Sequence, residues 1–405
     1  MLNQRLSARL ARLTPSATVG LNGTIAAMRA RGIDVISFGQ GEPDFATPAA
    51  IKAAGIAAIE QDQTKYTPVG GPQSLRAAIA ARLTRQTGIG YTAAQVSVVT
   101  GAKEGLFLAF LALCDPGHEV IVPAPYWVSY VDQAQLAGAT VIAPFAGPEQ
   151  GFKLTASQLA AAITPATRAI VLNTPSNPTG AVYSEAELAA LAEVIRPSEA
   201  VIIADEIYDA IVYGPYARWL RVAPDLAERT LVVNGASKAY AMTGWRMGYI
   251  AGPQDLIEAI KGIQGHSTTH TSSITQAAAL AAYAGDETVA GDVTADVARM
   301  VAAFQRRRDL IVGLLREIPG VEIAIPDGAF YIFPRVSGLL GVPLGARGTV
   351  CATDDELAAY LLEAAQIGVV PGSAFGAPGY LRLAYATGEA QIADGIARMR
   401  AACAR

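Results

Sequence analysis

From about Val96 onward, short apolar runs alternate with longer Ala/Leu-rich stretches. The runs fall at 96–99, 119–122, 140–143, 169–172, 201–204, 231–233 and 249–251, each the length of a buried strand. The stretches between them predict helices. Such alternation folds into an α/β architecture, a mostly parallel sheet with helices on both faces. In sheets of that kind ligands sit beyond the carboxyl ends of the strands. After Gly285 the pattern changes. It predicts a long helix over 287–315, strands near 321–325 and 330–333, a helix over 354–366, a strand over 380–385 and a closing helix. This is a second, smaller α+β domain. The segment before residue 48 carries the loop-like GQGEPDFATP and is expected to pack with it. The expected division is therefore a large domain at 48–285, and a small domain made of 1–47 together with 286–405.

Composition narrows the classes. The chain has 405 residues, 52% hydrophobic and 16% charged, enough to bury large cores. A net charge of −4 without a basic block argues against nucleic acid as a partner. Cys114, Cys351 and Cys403 are widely spaced and form no CxxC, which fits a reducing cytoplasm and no structural metal. The apolar run 106–114 falls well short of the roughly 20 residues of a membrane span. The N-terminal MLNQRLSARLARL is Arg-bearing and amphipathic but has neither a long apolar region nor a small-residue cleavage site, so a surface helix is expected.

Four polar clusters follow the strands. Thr100-Gly101-Ala102-Lys103 opens a helix, where free N–H groups and the helix dipole suit a phosphate; alone it reads as an ordinary strand-to-helix turn. In Asn173-Thr174-Pro175-Ser176-Asn177-Pro178-Thr179-Gly180, turn chemistry explains Pro and Gly but not Asn177. The third cluster, Asp205-Glu206-Ile207-Tyr208, puts a carboxylate at a buried strand end, where it needs a cation or several hydrogen bonds. A Walker-B reading requires a GxxxxGK[ST] loop, and none exists. The carboxylate can instead hold a protonated ring nitrogen, with Tyr208 reaching the same ring.

The fourth cluster, Asn234-Gly235-Ala236-Ser237-Lys238, is a small-residue loop between two apolar runs. Desolvation and a nearby cation such as Arg246 would lower the lysine's pKa and leave the neutral amine that attacks a carbonyl. Alone, a strand-end lysine is ordinarily a solvated end-group. Gly235-Ala236-Ser237-Lys238-Ala239 nearly matches the elbow G-x-S-x-G, but His266 and His270 come too early for a hydrolase. No GxGxxG follows a strand and HExxH is absent. One ligand satisfies all four clusters, because it carries a phosphate, a protonated aromatic nitrogen, a phenolic oxygen and an aldehyde: pyridoxal 5′-phosphate.

The sequence resembles the class-I aminotransferases of fold type I, and among them the prokaryotic aspartate aminotransferase subgroup. The resemblance runs from Pro15-Ser16-Ala17-Thr18 to Leu381-Arg382-Leu383. It rests on GEPDF (41–45), KYTPVGG (65–71), PYWVSY (125–130), NTPSNPTG (173–180), DEIY (205–208), GASKAYAMTGWRMG (235–248), DGAFY (327–331) and RLAYAT (382–387). It implies that Lys238 carries the cofactor and later moves the substrate proton, and that Asp205 pairs with the ring nitrogen. It also implies that Tyr208 and Asn177 bond the phenolic oxygen, Asn177 touching substrate as well, while Trp127 stacks on the ring. Gly101, Ala102, Lys103, Ser237 and Arg246 fall at its cofactor-binding positions, Arg246 with Gly101 and Ala102 forming the phosphate cradle. Arg382 and the backbone of Gly41 are the expected clamp for the substrate carboxylate, with Trp127 beside it, and Lys103 is the candidate cation for a distal carboxylate. Tyr66 resembles a tyrosine lent to the neighbouring subunit, which implies a homodimer with shared sites.

There are departures. Thr14 stands where many relatives have Lys. His270-Thr271 replaces Asn-Pro or Ser-Pro, which leaves open the geometry of Thr269, the cross-subunit phosphate contact that the resemblance implies. No counterpart of the animal-type distal arginine lies near Gly265. The expected reaction is amino-group transfer between an L-amino acid, aspartate or glutamate, and a 2-oxo acid such as 2-oxoglutarate. Alternatives on this scaffold are aromatic, prephenate-like or neutral donors, and carbon–sulfur β-elimination. A non-catalytic PLP-sensing regulator is disfavoured.

Overall fold

The computed structural model describes residues 7, 9–10, 13, 17–284 and 287–404, the side chains of 287–292 excepted. The expected N-terminal surface helix and the Thr14-Pro15-Ser16 part of the resemblance lie largely or wholly outside them. Seven strands form the main sheet: β1 (Val96–Val99), β2 (Glu119–Ile121), β3 (Thr140–Ile142), β4 (Thr167–Asn173), β5 (Val201–Asp205), β6 (Thr230–Gly235) and β7 (Gly248–Ala251). Their spatial order is β1-β7-β6-β5-β4-β2-β3. All neighbours are parallel except β7, which runs against both β6 and β1. The fold is thus α/β with a mostly parallel sheet. Alternate residues of one strand enter different cores, as a two-residue period requires. Ile202, Ala204 and Val232 pack on one face, and Val201, Ile203, Leu231 and Val233 on the other. Helices cover both faces, which is why these strands are apolar throughout instead of alternating.

The carboxyl ends of the parallel strands meet along one edge. Asn173 ends β4 directly beside Asp205, which ends β5. Gly235 ends β6 opposite Gly248, the first residue of the reversed β7. Because β7 runs backwards, the residues just before it reach the same edge as those just after the others. Gly248 also lies against β1 at Val99, and a Cβ there would stand 2.3 Å from the Ala102 amide. Only glycine lets the helix Ala102–Leu113 start so close to the sheet.

Beyond residue 287 a separate core lies between the helices Glu287–Leu315, Asp354–Ala365 and Glu389–Ala402 and a three-stranded antiparallel sheet, Val370–Pro371, Leu381–Ala384 and Tyr331–Ile332. Ile36–Ser37 pairs in parallel with Ile367–Gly368, and Ala384 donates its amide to the Phe38 carbonyl. A bidentate Arg307–Asp44 pair (2.7 and 2.9 Å) ties the GEPDF segment to the long helix. The strand expected near 321–325 shrinks to one bridge, Glu322 opposite Arg335. Ile325 is half exposed and the following Pro326 has no amide to donate, so nothing extends the pairing. No helix among the described residues is long and apolar enough to cross a membrane.

Candidate active site

One cavity of ≈ 420 Å³ opens at the carboxyl edge of the sheet, between it and the smaller core. A ligand of cofactor size fits such a volume. Lys238 projects into it from a single helical turn, Ala236–Ala239, where the sequence suggested a loop. Gly235 and the small residues after it let the chain coil at once on leaving β6. Burial pushes the Lys238 amine down to about 8; Arg246 and Arg382 add to this, while Glu42 and Asp205 oppose it. The amine donates to the Gly41 carbonyl.

Asp205 is 3% exposed at the end of β5. Burial raises its carboxyl to about 6, against hydrogen bonds from Tyr130 and the Ile207 amide and the charge of Lys238. The Tyr130 hydroxyl donates to Oδ2 at 2.6 Å, and the Ile207 amide to Oδ1 at 3.1 Å. Three residues on, the Tyr208 hydroxyl bonds that of Tyr331 at 2.8 Å.

Two arginines reach the site. Arg246 sits just before β7 with φ +58 and donates to the Thr243 carbonyl at 2.8 Å. A Cβ on Gly101 (φ +80) would stand 2.5 Å from its Nη2, so glycine keeps the space between this guanidinium and the start of the helix Ala102–Leu113. Arg382, 2% exposed, lies in the middle strand of the small sheet. Its Nη1 donates to Asn177 Oδ1 at 3.1 Å and its Nη2 to the Gly39 carbonyl at 2.7 Å, while its buried Nε has no partner. Lys103 stands 5.0 Å from the Trp127 ring centre, and burial, then Arg246, lowers its pKa. Trp127 meets Tyr130 edge-on at 5.3 Å.

Of the residues singled out in the sequence, Gly41, Ala102, Lys103, Trp127, Asn177 and Asp205 line the cavity, as do Tyr208, Ser237, Lys238, Arg246 and Arg382. Gly101 stands behind Arg246. Tyr66 does not line it: it is 91% exposed and meets His270 edge-on at 5.6 Å. The His270 ring accepts from the Thr67 amide at 3.4 Å and lies 2.7 Å from the Thr271 carbonyl through Nδ1, and Thr269 beside it has φ +64. The sequence reading missed Glu42, Tyr130 and Tyr331, although each lies inside a quoted motif. An aromatic at a motif's end reads as core, and only its hydroxyl partner reveals it as part of a site.

One cavity thus gathers a strand-end carboxylate, a desolvated amine and two guanidiniums. The chain belongs to the aminotransferase class I and II family, whose model matches residues 33–398. It is 46% identical to the aspartate/prephenate aminotransferase of Cereibacter sphaeroides, over 98% of each chain. It is 43% identical to the aspartate aminotransferase of Geobacillus stearothermophilus, over 95% of each. Among solved structures, the aspartate aminotransferase of Rhizobium meliloti superposes with a TM-score of 0.93 at 42% identity, covering 99% of both chains. That of Thermus thermophilus with maleate gives 0.91 at 39%, covering 98% of this chain and 99% of that one.

Proposed function

We propose that this aminotransferase uses pyridoxal 5′-phosphate to move the amino group between L-aspartate or L-glutamate and a 2-oxo acid such as 2-oxoglutarate. The observation that carries the reading is the shared cavity of the Lys238 amine, the Asp205 carboxylate and the two arginines. The residues present fit the cofactor. Gly101 lets the Arg246 guanidinium lie against a helix start whose free N–H groups suit a phosphate, Asp205 suits a protonated ring nitrogen, and Tyr208 and Asn177 offer groups to a phenolic oxygen. When bound, the cofactor supplies an aldehyde for the amine and a cationic ring that draws off the electron pair left as the substrate's Cα–H bond breaks.

The chain's own residues do the rest. Lys238 holds the cofactor and then, freed as a neutral amine, takes the substrate Cα proton. Asp205, kept ionised by Tyr130, maintains the charge of the ring it faces. Arg382 orients the α-carboxylate with its planar fork, helped by Asn177 and the Gly41 backbone, and Trp127 covers the ring. Lys103 takes the distal carboxylate, a role consistent with the dicarboxylate maleate in the Thermus thermophilus relative.

The same reading includes a homodimer in which Tyr66, exposed and outside its own chain's cavity, reaches the neighbour's phosphate. Thr269 contacts that phosphate too. It further includes a cytoplasmic location, supported by three free cysteines, and the domain division at 48 and 285, supported by a second core built mostly beyond residue 287 that also takes in Ile207, Tyr208 and Ile211. The test follows the protein's visible absorption while aspartate and then 2-oxoglutarate are added. Reversal of an aspartate-induced change by 2-oxoglutarate is expected; a chromophore indifferent to both, or pyruvate and ammonia released without an acceptor, would sink the reading. A donor panel including prephenate-derived, aromatic and neutral amino acids fixes the preference.

A further inference from the structure

Behind the cavity lies a second set of buried charges that the reaction above does not use. Glu206 and Asp209, 3% and 6% exposed, belong to the turn that leaves Asp205 and carries Tyr208. Arg218 pairs with both: Nη1 with Glu206, and Nη2 with Asp209 Oδ2 at 2.6 Å. Its guanidinium also lies 5.1 Å from the ring centre of Tyr216, whose hydroxyl donates to the Thr174 carbonyl at 3.1 Å. On the other side Arg82 donates to the hydroxyl of Tyr240, two residues beyond Lys238, and stands 5.3 Å from the Tyr283 ring. Gln86 joins the two. With its amide oxygen turned toward the guanidiniums, it accepts from Arg82 Nε at 3.2 Å and Arg218 Nη2 at 3.1 Å. Arg82 and Gln86 share the helix Gln73–Thr87. None of these charged groups lines the cavity.

Burial of such a set is costly: burial first, and then the charge of Asp209, raises the Glu206 carboxyl to about 7 against the pull of Arg218. Buried ion pairs contribute little net stability compared with apolar packing, so fixing geometry is the better account of them. What they touch is specific: one end holds the turn bearing Asp205 and Tyr208, the other the turn bearing Lys238. These two turns leave adjacent strands, β5 and β6, whose pairing ends with the Glu206 amide on the Val233 carbonyl at 2.9 Å, so beyond that point the turns have only such side-chain links to hold them.

We propose that Arg218, Gln86 and Arg82 are positioning residues, a half-buried bracket that sets the spacing between the Asp205 carboxylate and the Lys238 amine. This inference rests on the proposed roles of those two groups. Removing the middle member leaves each ion pair intact but lets the two turns shift relative to each other. The charge each reacting group feels from the other then changes, and with it the protonation of the nitrogen at Lys238.

The test compares wild type with Gln86→Leu, Arg82→Met and Arg218→Lys, each loaded with pyridoxal phosphate. Borohydride reduction and peptide mapping first check that the cofactor sits on Lys238 in wild type. If it does not, the functional reading fails; the bracket is then judged in ligand-free protein, from the pH midpoint of Lys238 acetylation by acetic anhydride. If it does, the readouts are the pH midpoint of the visible chromophore and the melting temperature. The bracket predicts that Gln86→Leu moves the midpoint by about half a pH unit or more, a roughly threefold change in the ionisation constant. Arg82→Met should move it further. Arg218→Lys, which keeps a charge beside Glu206 but lacks the fork that also holds Asp209 and Gln86, should move it too. Midpoints unchanged in every folded variant, with only the melting temperature lowered, would reduce the network to structural support and overturn the proposal. Gln86→Leu removes no charge, so it decides the matter even if an arginine variant does not fold.

Discussion

The two arginines of the cavity make an instructive pair. Arg382 comes from the interior of an antiparallel sheet, is almost wholly buried, and has both terminal nitrogens on protein acceptors before any substrate arrives. Arg246 comes from the loop ahead of the reversed strand, is exposed, and spends one nitrogen on a neighbouring carbonyl. The first is a preset fork whose remaining buried Nε looks for an acceptor; the second is a cation that one glycine lets lie close against a helix start. Burial lowers the Arg382 pKa, with the tyrosine hydroxyls of 331 and 208 opposing it, so an incoming carboxylate relieves a desolvated charge there. A rigid fork suits recognition of a substrate that changes each turnover. An exposed cation suits a group that arrives once and stays.

That contrast breaks first if the group between the arginines is misassigned. Lys238→Ala should still bind the cofactor but lose on the order of 10⁴-fold or more in turnover, the scale of a lost nucleophile and proton carrier; full activity in purified enzyme would end the assignment. Next comes the pair itself. Arg382→Lys should lower kcat/KM about a hundredfold or more with cofactor affinity nearly unchanged, because an ammonium cannot offer the two-pronged grip. Arg246→Lys should do the reverse, weakening the cofactor several-fold and leaving substrate KM close to wild type; steady-state kinetics and cofactor titration on both variants expose any exchange of roles.

Smaller effects sharpen the picture. Lys103→Ala should reduce kcat/KM for aspartate about tenfold relative to alanine as donor, and equal losses for both would remove it from the specificity site. Before any cofactor is attached, labelling of the Lys238 amine should rise with pH around a midpoint near 8, measured by mass spectrometry across a pH series. The sign for stability follows from that depressed value. The penalty of burying the charged amine is full below about pH 8 and fades as pH climbs toward the ordinary lysine range.

Much of the architecture was legible because strands buried on both faces write uninterrupted apolar runs, as at 201–204 and 231–233. The helices Ala17–Ala30, Ala49–Glu60 and Gln73–Thr87 were not legible, since their many alanines, most of all in the second, blur the 3.6-residue stripe. Nor were most strands of two residues, too short to show any period; Tyr331–Ile332, inside the apolar run 330–333, is the exception. At the site, residues in dense motifs were readable, while Tyr130 and Glu42 hid among neighbours that drew the eye. Arg82, Gln86 and Arg218 left no trace at all. The contacts of Arg82 with Tyr240 and of Gln86 with Arg218 join segments more than a hundred residues apart, and each residue alone looks like a surface charge or amide.

The reversed strand has one last effect. Gly235 and Gly248 face each other across the β6–β7 ladder, so the intervening loop is pinned at both feet. Lys238 and Arg246 ride on that one loop and cannot drift apart as pieces on separate strands would. Deleting or adding a residue within 236–247 would turn both out of aim together, which makes this hairpin intolerant of any change of length.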